Sequence, residues 1–289
     1  MTNAIFSGLL LGGMYALIAM GLTLQYGVAR IMNLSYGEFL IAAAFASWWL
    51  FTGWALNPLL GLMLVIPLSF AASWLLYRVL LTPLVRRART RDALEVDSIL
   101  ATFGMMFIVQ GIMLTMFGGA YVSYSFLATP VHLAGEILSL NRLLAFGLAV
   151  AVGLALYLAL TRTRIGTAIR AVAVDPAAAQ LVAIDVVQTS AFAFALGGAL
   201  VAAAGVLISM FLTFGATSGV IFTMKALIVV VMGGVGNLLG CLVAGLALGL
   251  SEALVATFVD PGLTLAVNFA LFLGVLLVRP AGIFGRVAR

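Results

Sequence analysis

The chain has 289 residues, 65% of them hydrophobic and only 8% charged, with a formal net charge of +5. A soluble globular domain of that composition could not cover its surface with polar groups. The long Leu/Ala/Val/Gly runs exclude the short alternating segments of a membrane barrel, and the excess positive charge is arginine in loops between apolar runs, a mark of helical membrane topology and no sign of nucleic-acid binding.

A helix needs about 20 residues to cross the hydrocarbon core. Suitable runs fall near 3–26, 37–55, 58–80, 98–117, 143–160, 187–212, 220–234, 238–258 and 263–279, the seventh being short and interrupted. This predicts an all-α polytopic membrane protein of about nine spans, within a range of roughly 8–10, and one transmembrane domain over 1–289. The first run has no basic leader and reads as a retained span. After it, residues 27–37 allow two readings. They form a cytoplasmic loop with Glu38 capping the next helix at its positive end, or a discontinuous helix with Asn33, Ser35, Gly37 and Glu38 lining a path.

Arg78, Arg86, Arg87, Arg89 and Arg91 lie between the third and fourth runs, and the polar, aromatic segment 118–141 lies between the fourth and fifth. That segment holds His132, the single histidine, and Glu136, so a histidine-based metal cluster is excluded. Met105, Met106, Met113 and Met116 read as packing residues.

The stretch "TRTRIGTAIRAVAVDPAAAQLVAID", 161–185, is polar by comparison with its surroundings. Ile165, Ala168, Ile169 and Val172 recur at helical spacing, with Arg170 between them. Asp175 is a good N-cap and Pro176 a favoured first helical residue, so a second short helix is expected, with Leu181 and Ile184 on its apolar face. Asp185 and Gln188 resemble a capping box opening the sixth span. The pattern is a helix–turn–helix elbow, serving either as an interfacial segment on lipid headgroups or as a docking element for a soluble partner.

Further on, "GGVGNLLG" (233–240) reads as a tight cytoplasmic turn if the seventh run crosses, or as glycines lining the path if that run is re-entrant, and it lacks the Lys-Ser/Thr of a nucleotide loop. Gly8 with Gly12, Gly236 with Gly240, and Gly245 with Gly249 are GxxxG pairs suited to close helix contact. Cys241 reads as a small buried hydrophobe. Glu252 falls well inside the eighth run, where an acid needs a partner or a cavity; Lys225, Gln110 and Asn237 are candidates. With nine crossings, Arg30, Arg162, Arg164, Arg170, Arg279, Arg286, Arg289 and the 78–91 cluster share one side, the cytoplasm, leaving only Arg142 and Lys225 elsewhere. The N-terminus is then outside and the C-terminus inside.

Four separated stretches carry a family resemblance. "GLLLGGMYALIAMGLTLQYGVARIMNLSYGEF", "RIGTAIRAVAVDPAAAQLVAID", "MKALIVVVMGGVGNLLGCLVAGLALGLSEAL" and "LLVRPAGIFGR" resemble, in order, signatures of the shorter permease subunit of branched-chain amino-acid ABC importers. Val182-Ala183-Ile184 departs from the family's usual Leu-Gly-Ile, and Tyr36 stands where its signature has histidine, so no proton chemistry is assigned there. The resemblance implies a bacterial inner-membrane importer subunit that works by alternating access. It implies a second homologous permease subunit, two cytosolic ATP-binding subunits, a soluble extracytoplasmic binding protein and the lipid bilayer as partners, with no nucleic acid and no cofactor or metal. The elbow would dock the ATPase through Ile165, Gly166, Ile169, Arg170, Ala171, Asp175, Pro176, Ala179 and Leu181. Asn33, Ser35, Gly37, Glu38 and Glu252 are the expected path residues, and ATP hydrolysis belongs to the partners. Two alternatives stand beside this: an ion-coupled secondary transporter using Glu38 or Glu252, or an ABC permease for urea, amides or aromatic acids.

Overall fold

The computed structural model describes residues 1–88, 90–133 and 136–285. Arg89, Arg286 and Arg289, which entered the charge count, lie outside these. The helices are α1 (Thr2–Ala29), α2 (Tyr36–Trp54), α3 (Pro58–Leu76), α4 (Thr82–Arg87), α5 (Arg91–Phe117), α6 (Leu140–Arg162), α7 (Arg164–Val174), α8 (Pro176–Leu181), α9 (Val186–Ser209), α10 (Gly219–Gly233), α11 (Leu238–Phe258) and α12 (Thr264–Val278). A π-helical turn, Tyr77–Leu81, joins α3 to α4. One antiparallel hairpin, β1 (Pro130–Leu133) with β2 (Glu136–Ser139), interrupts the loop before α6, an addition to the all-α expectation. Among the described residues, seven helices are long and apolar enough to cross a membrane, and α10 is a shorter apolar helix. The protein is a multi-pass membrane protein.

Helix ends are set by local chemistry. Asn57 accepts from Leu59 N–H at 2.9 Å with Pro58 in the first turn. Asp185 accepts from Gln188 N–H at 3.0 Å and Asn237 from Gly240 N–H at 3.0 Å. Each satisfies a donor that the helix itself leaves free.

Around the central α1 the bundle is assembled by small residues. A Cβ on Gly12 would lie 2.8 Å from the Leu246 Cα, and one on Gly8 2.9 Å from that of Leu250. The two GxxxG pairs of α1 and α11 therefore face each other along an antiparallel seam, where dispersion between close backbones substitutes for the hydrophobic drive that lipid does not supply. On the opposite side, Gln25 Nε2 donates to the Phe194 carbonyl at 2.9 Å, tying α1 to α9. Gly249→Ala is expected to cost about 1–3 kcal/mol by overpacking this seam. It should lower the thermal midpoint in detergent, while Gly104→Ala, with nothing within 4 Å of the added carbon, should hold or slightly raise it through helix propensity.

These contacts define two ends. The N-terminus of α1 meets the hairpin, where Thr2 Oγ1 donates to Glu136 Oε1. The C-terminus of α1 meets the start of α9, with Ala29, Tyr77, Leu81 and Phe194 forming one buried cluster. The elbow α7–α8 lies at this second end, preceding α9. The chain's last described residues join it there, since Ile283 N–H donates to the Met232 carbonyl at 2.7 Å.

Candidate functional site

Between α1 and α2 the backbone leaves helical geometry without leaving the protein. Ile31, Asn33, Ser35, Tyr36 and Glu38 are all at most 1% exposed. Irregular backbone at membrane depth is tolerated only where protein satisfies it, and here it is satisfied. Met32 N–H donates to Ser98 Oγ at 3.3 Å, Leu34 N–H to Thr102 Oγ1 at 3.1 Å, and Gly37 N–H to Thr223 Oγ1 at 2.8 Å. Asn33 Nδ2 donates to Gln25 Oε1 at 3.0 Å, and Ser35 donates to Asn33 Oδ1 through both its N–H and its hydroxyl, at 3.1 and 2.7 Å. Of the two readings of 27–37, the packing favours the interrupted helix over the solvated loop: Arg30 is exposed, Tyr26, Gly27, Met32 and Leu34 are half-buried, and the rest of 27–38 is buried.

Helix α2 starts deep. Its first residue, Tyr36, has its hydroxyl 2.9 Å from the Ile18 carbonyl and 3.2 Å from that of Gly197, midway along α9. Helix α10 also starts deep, with Gly219 directly against the Glu38 carboxylate. From this contact α2 runs about 24 Å further to Trp54 and α10 about 21 Å to Gly233, at 1.5 Å per residue. Two interrupted helices thus meet N-terminus to N-terminus near mid-depth. Glu38 is 0% exposed, and neither of its carboxylate oxygens has a hydrogen-bond partner among the described residues. The positive ends of both helix dipoles favour a carboxylate here, and glycine at 219 leaves it room.

Above Glu38, toward the hairpin end, aromatic side chains close the space. Phe45 stacks on Phe117 at 4.5 Å and meets Phe214 edge-on at 5.1 Å. Tyr124, from the loop 118–129, places its hydroxyl 2.9 Å from Ser47 Oγ and 2.8 Å from Ser209 Oγ. Burial pushes its phenol above the ordinary value, so it stays a neutral hydrogen-bonding cap. Below Glu38 the Asn33–Gln25 network closes the other side. The carboxylate is sealed from both ends.

The second intramembrane acid lies across α10. Lys225 comes two residues after Thr223 and points to the opposite face. Its Nζ is 2.7 and 2.9 Å from the Glu252 oxygens, with side chains 12% and 15% exposed. Tyr15 accepts a third bond from Nζ at 2.6 Å, and Asn268 Nδ2 approaches Glu252 at 3.4 Å. Of the three candidate partners for Glu252 the structure selects Lys225. Glu252 also lines a cavity of about 540 Å³ at the hairpin end, with Arg142, Ser7 and Phe211 on its walls. Asn33, Ser35, Gly37 and Glu38 come together at the α2–α10 junction; Glu252 belongs to this separate site. Asn268, Tyr15, Gln25 and Thr223 were not singled out from sequence, although Gln25 and Asn268 are isolated amides in apolar runs, which was the available signal.

The elbow is a capped pair of helices. Thr163 accepts from Gly166 N–H at 3.1 Å, and Asp175 Oδ1 from Ala177 and Ala178 N–H at 2.9 and 3.1 Å. Its expected contact residues divide into two faces. Gly166, Ile169 and Ala179 turn into the bundle, and Ala171 and Pro176 are half-buried. Gly166 packs against the Leu160 backbone, where a side chain would not fit. Ile165, Arg170, Asp175 and Leu181 point outward, Leu181 at 88% exposure. Val174 and Val182 extend this outward apolar face, and sequence periodicity missed them because they sit at the helix ends. Among the described residues no group of three or more His, Cys, Asp or Glu could hold a metal ion.

The family model described as branched-chain amino acid transport system / permease component matches residues 4–276. The high-affinity branched-chain amino acid transport system permease protein LivH of Escherichia coli (strain K12) is 31% identical, covering 97% of this chain and 94% of its own. The corresponding BraD of Pseudomonas aeruginosa is 30% identical over 97% and 94%. A probable branched-chain amino acid transport permease protein LivH of Methanocaldococcus jannaschii is 25% identical over 93% and 88%. No solved structure matches the chain.

Proposed function

The chain belongs to the branched-chain amino acid transport permease family, and from that premise we propose that it is the membrane-spanning subunit of an ATP-driven importer for branched-chain or other hydrophobic amino acids. The single observation that carries the mechanism is the division of the elbow into two faces. Ile169, Val172 and Ala179 anchor it in the bundle core, at 1–3% exposure, while Ile165, Arg170 and Leu181 stand free. A partner gripping the outer face would move α6, α1 and α9 through the inner one. Two cytosolic ATP-binding subunits supply that grip and the hydrolysis.

Orientation is read from arginine. Arg30, Arg78, Arg86, Arg87, Arg162, Arg164, Arg170 and Arg279 gather at the elbow end, which the positive-inside rule assigns to the cytoplasm. The N-terminus and the hairpin then face outside, where a soluble binding protein delivers cargo to 118–141, and the C-terminus is cytoplasmic. The whole chain, 1–289, acts as one permease domain in the bacterial inner membrane beside a second homologous permease subunit. The path passes Glu38, whose carboxylate has no partner among the described residues, as a contact for the cargo's ammonium group once the closed aromatic side opens; Asn33, Ser35 and Gly37 hold the chain break that places it there. Glu252, already neutralised by Lys225, is a wall residue. That disfavours an ion-coupled transporter built on Glu252.

Arg170→Glu combined with Leu181→Asp leaves the anchoring face intact. Co-expressed ATP-binding subunit should co-purify with the variant at least about tenfold less well, the size of one interface hot spot, and substrate-stimulated hydrolysis should vanish. Undiminished co-purification and stimulation would remove the elbow from the docking interface.

A further inference from the structure

Arg78, Thr82, Pro83, Arg86 and Arg87 line a concave pocket of about 410 Å³ at the elbow end of the α3–α4 rod. We propose that this pocket binds the phosphate of an anionic phospholipid, with the acyl chains lying along the outer face of α3.

The π-helical turn builds the pocket. Eight residues separate Arg78 from Arg86, which in an unbroken α-helix sets them about 80° apart. Widening one turn by a residue rotates the rest of the helix back by about 100°, so the two guanidiniums come within about 20° of a common direction. Arg87 flanks them. Thr82, the residue after the wide turn, donates its hydroxyl to the Tyr77 carbonyl at 3.0 Å, closing the backbone gap that such a turn opens.

Arg78 is held in place rather than swinging freely. Its guanidinium carbon lies 4.7 Å from the centre of the Trp74 ring, and tryptophan at a helix end marks the headgroup level. Among the described residues no carboxylate is in ion-pair distance of Arg78, Arg86 or Arg87, the one salt bridge being Lys225–Glu252. Three planar forks without an acidic partner suit the oxygens of a phosphodiester, and basic pockets beside transmembrane helices are where anionic headgroups bind. The apolar half of such a ligand also has a place. Leu68, Leu75 and Val79 are 70%, 56% and 68% exposed and lead along the helix to Pro83. A cytosolic acidic protein would have no use for that strip; an acyl chain would. Lipid reaches the pocket provided that the elbow end lies at a membrane surface, whichever side that is.

The full chain, purified in mild detergent after exposure to mixed phosphatidylglycerol and phosphatidylethanolamine, is examined by native mass spectrometry for retained lipid. Phosphatidylglycerol should be retained preferentially. The preference should fall by roughly a hundredfold in R78Q/R86Q/R87Q, the worth of three cations near a charged membrane surface, and by roughly fivefold in Arg78→Gln alone. The charge-keeping triple lysine variant should hold most of it, which separates loss of binding from loss of fold. Equal retention of the two lipids, or a preference unchanged in the triple glutamine variant, overturns the proposal. So does a wild type stabilised by inorganic phosphate with no lipid preference, which assigns the pocket to free phosphate. Loss of a co-expressed ATP-binding subunit from the triple glutamine variant, with lipid preference intact, overturns it in favour of a protein contact.

Discussion

Lys225→Met is expected to lower the stability of the detergent-solubilised protein by about 3–5 kcal/mol, the cost of leaving one member of a buried ion pair without the other. Lys225 and Glu252 face each other at 2.7 Å, 27 residues apart in sequence, on helices that are otherwise apolar. Their mutual attraction offsets two desolvation costs, and removing the ammonium leaves only the cost. The Tyr15 ring, 4.7 Å from Nζ, adds a cation–π contact that is lost as well. Glu252→Leu should destabilise for the mirror-image reason. The double variant Lys225→Met/Glu252→Leu should recover most of the loss, because apolar side chains of similar volume pack where the pair stood. Thermal unfolding of the four proteins forms a double-mutant cycle. A coupling near zero would mean that water in the adjoining cavity solvates Glu252 and the pair is not a structural element.

Glu38→Gln should act in the opposite sense on stability and more severely on transport. Neither carboxylate oxygen of Glu38 is hydrogen-bonded among the described residues. An ionised group in that state is unfavourable to bury; the amide removes the charge but keeps unpaired polar atoms, so the gain is small for Gln and reaches about 1–3 kcal/mol only where the polar atoms go as well. Glu38→Met, which removes the polar atoms altogether, should stabilise more. Both should reduce uptake of a branched-chain amino acid by the assembled importer about tenfold or more, the value of one lost charge-assisted contact of about 1.5–3 kcal/mol. A residue that costs stability and supports activity is the expected signature of a functional site. Uptake at the wild-type rate would move the path away from the α2–α10 junction. A fall in thermal midpoint would mean that Glu38 has a structural partner.

Local chemistry made much of this protein readable in one dimension. The apolar runs located most long helices to within a few residues, because a helix in lipid must satisfy its own backbone and so declares its length in hydropathy. The α3–α4 rod and α5 run about two turns beyond their apolar runs into the basic segment. The caps at Asp175 and Asp185 lie within three residues of the N–H groups they satisfy, so short-range pattern is enough to find them. The glycine pairs at 8/12 and 245/249 were readable as close-packing surfaces, but nothing in their spacing said that they pack on each other. The 130–139 hairpin went unseen because four-residue strands carry almost no periodicity. The elbow was readable as two short helices, the second capped by Asp175, while its inner and outer faces were not: Ile165 and Ile169 look alike in sequence, and only packing against α6 and α9 buries one and leaves the other out.

The sequence by itself determined that this is a helical membrane protein, roughly where its long helices fall, and which family it joins, because each of those is written in residues near one another. Tertiary structure alone decided that Lys225 partners Glu252, that Glu38 partners nothing among the described residues, and that α2 and α10 begin at mid-depth facing each other. Those outcomes depend on which small-residue seams close around α1, and so on contacts between residues as far apart as Gly8 and Leu250. A buried charge is paired or left alone by the arrangement of its neighbours in space, and no window along the chain contains them.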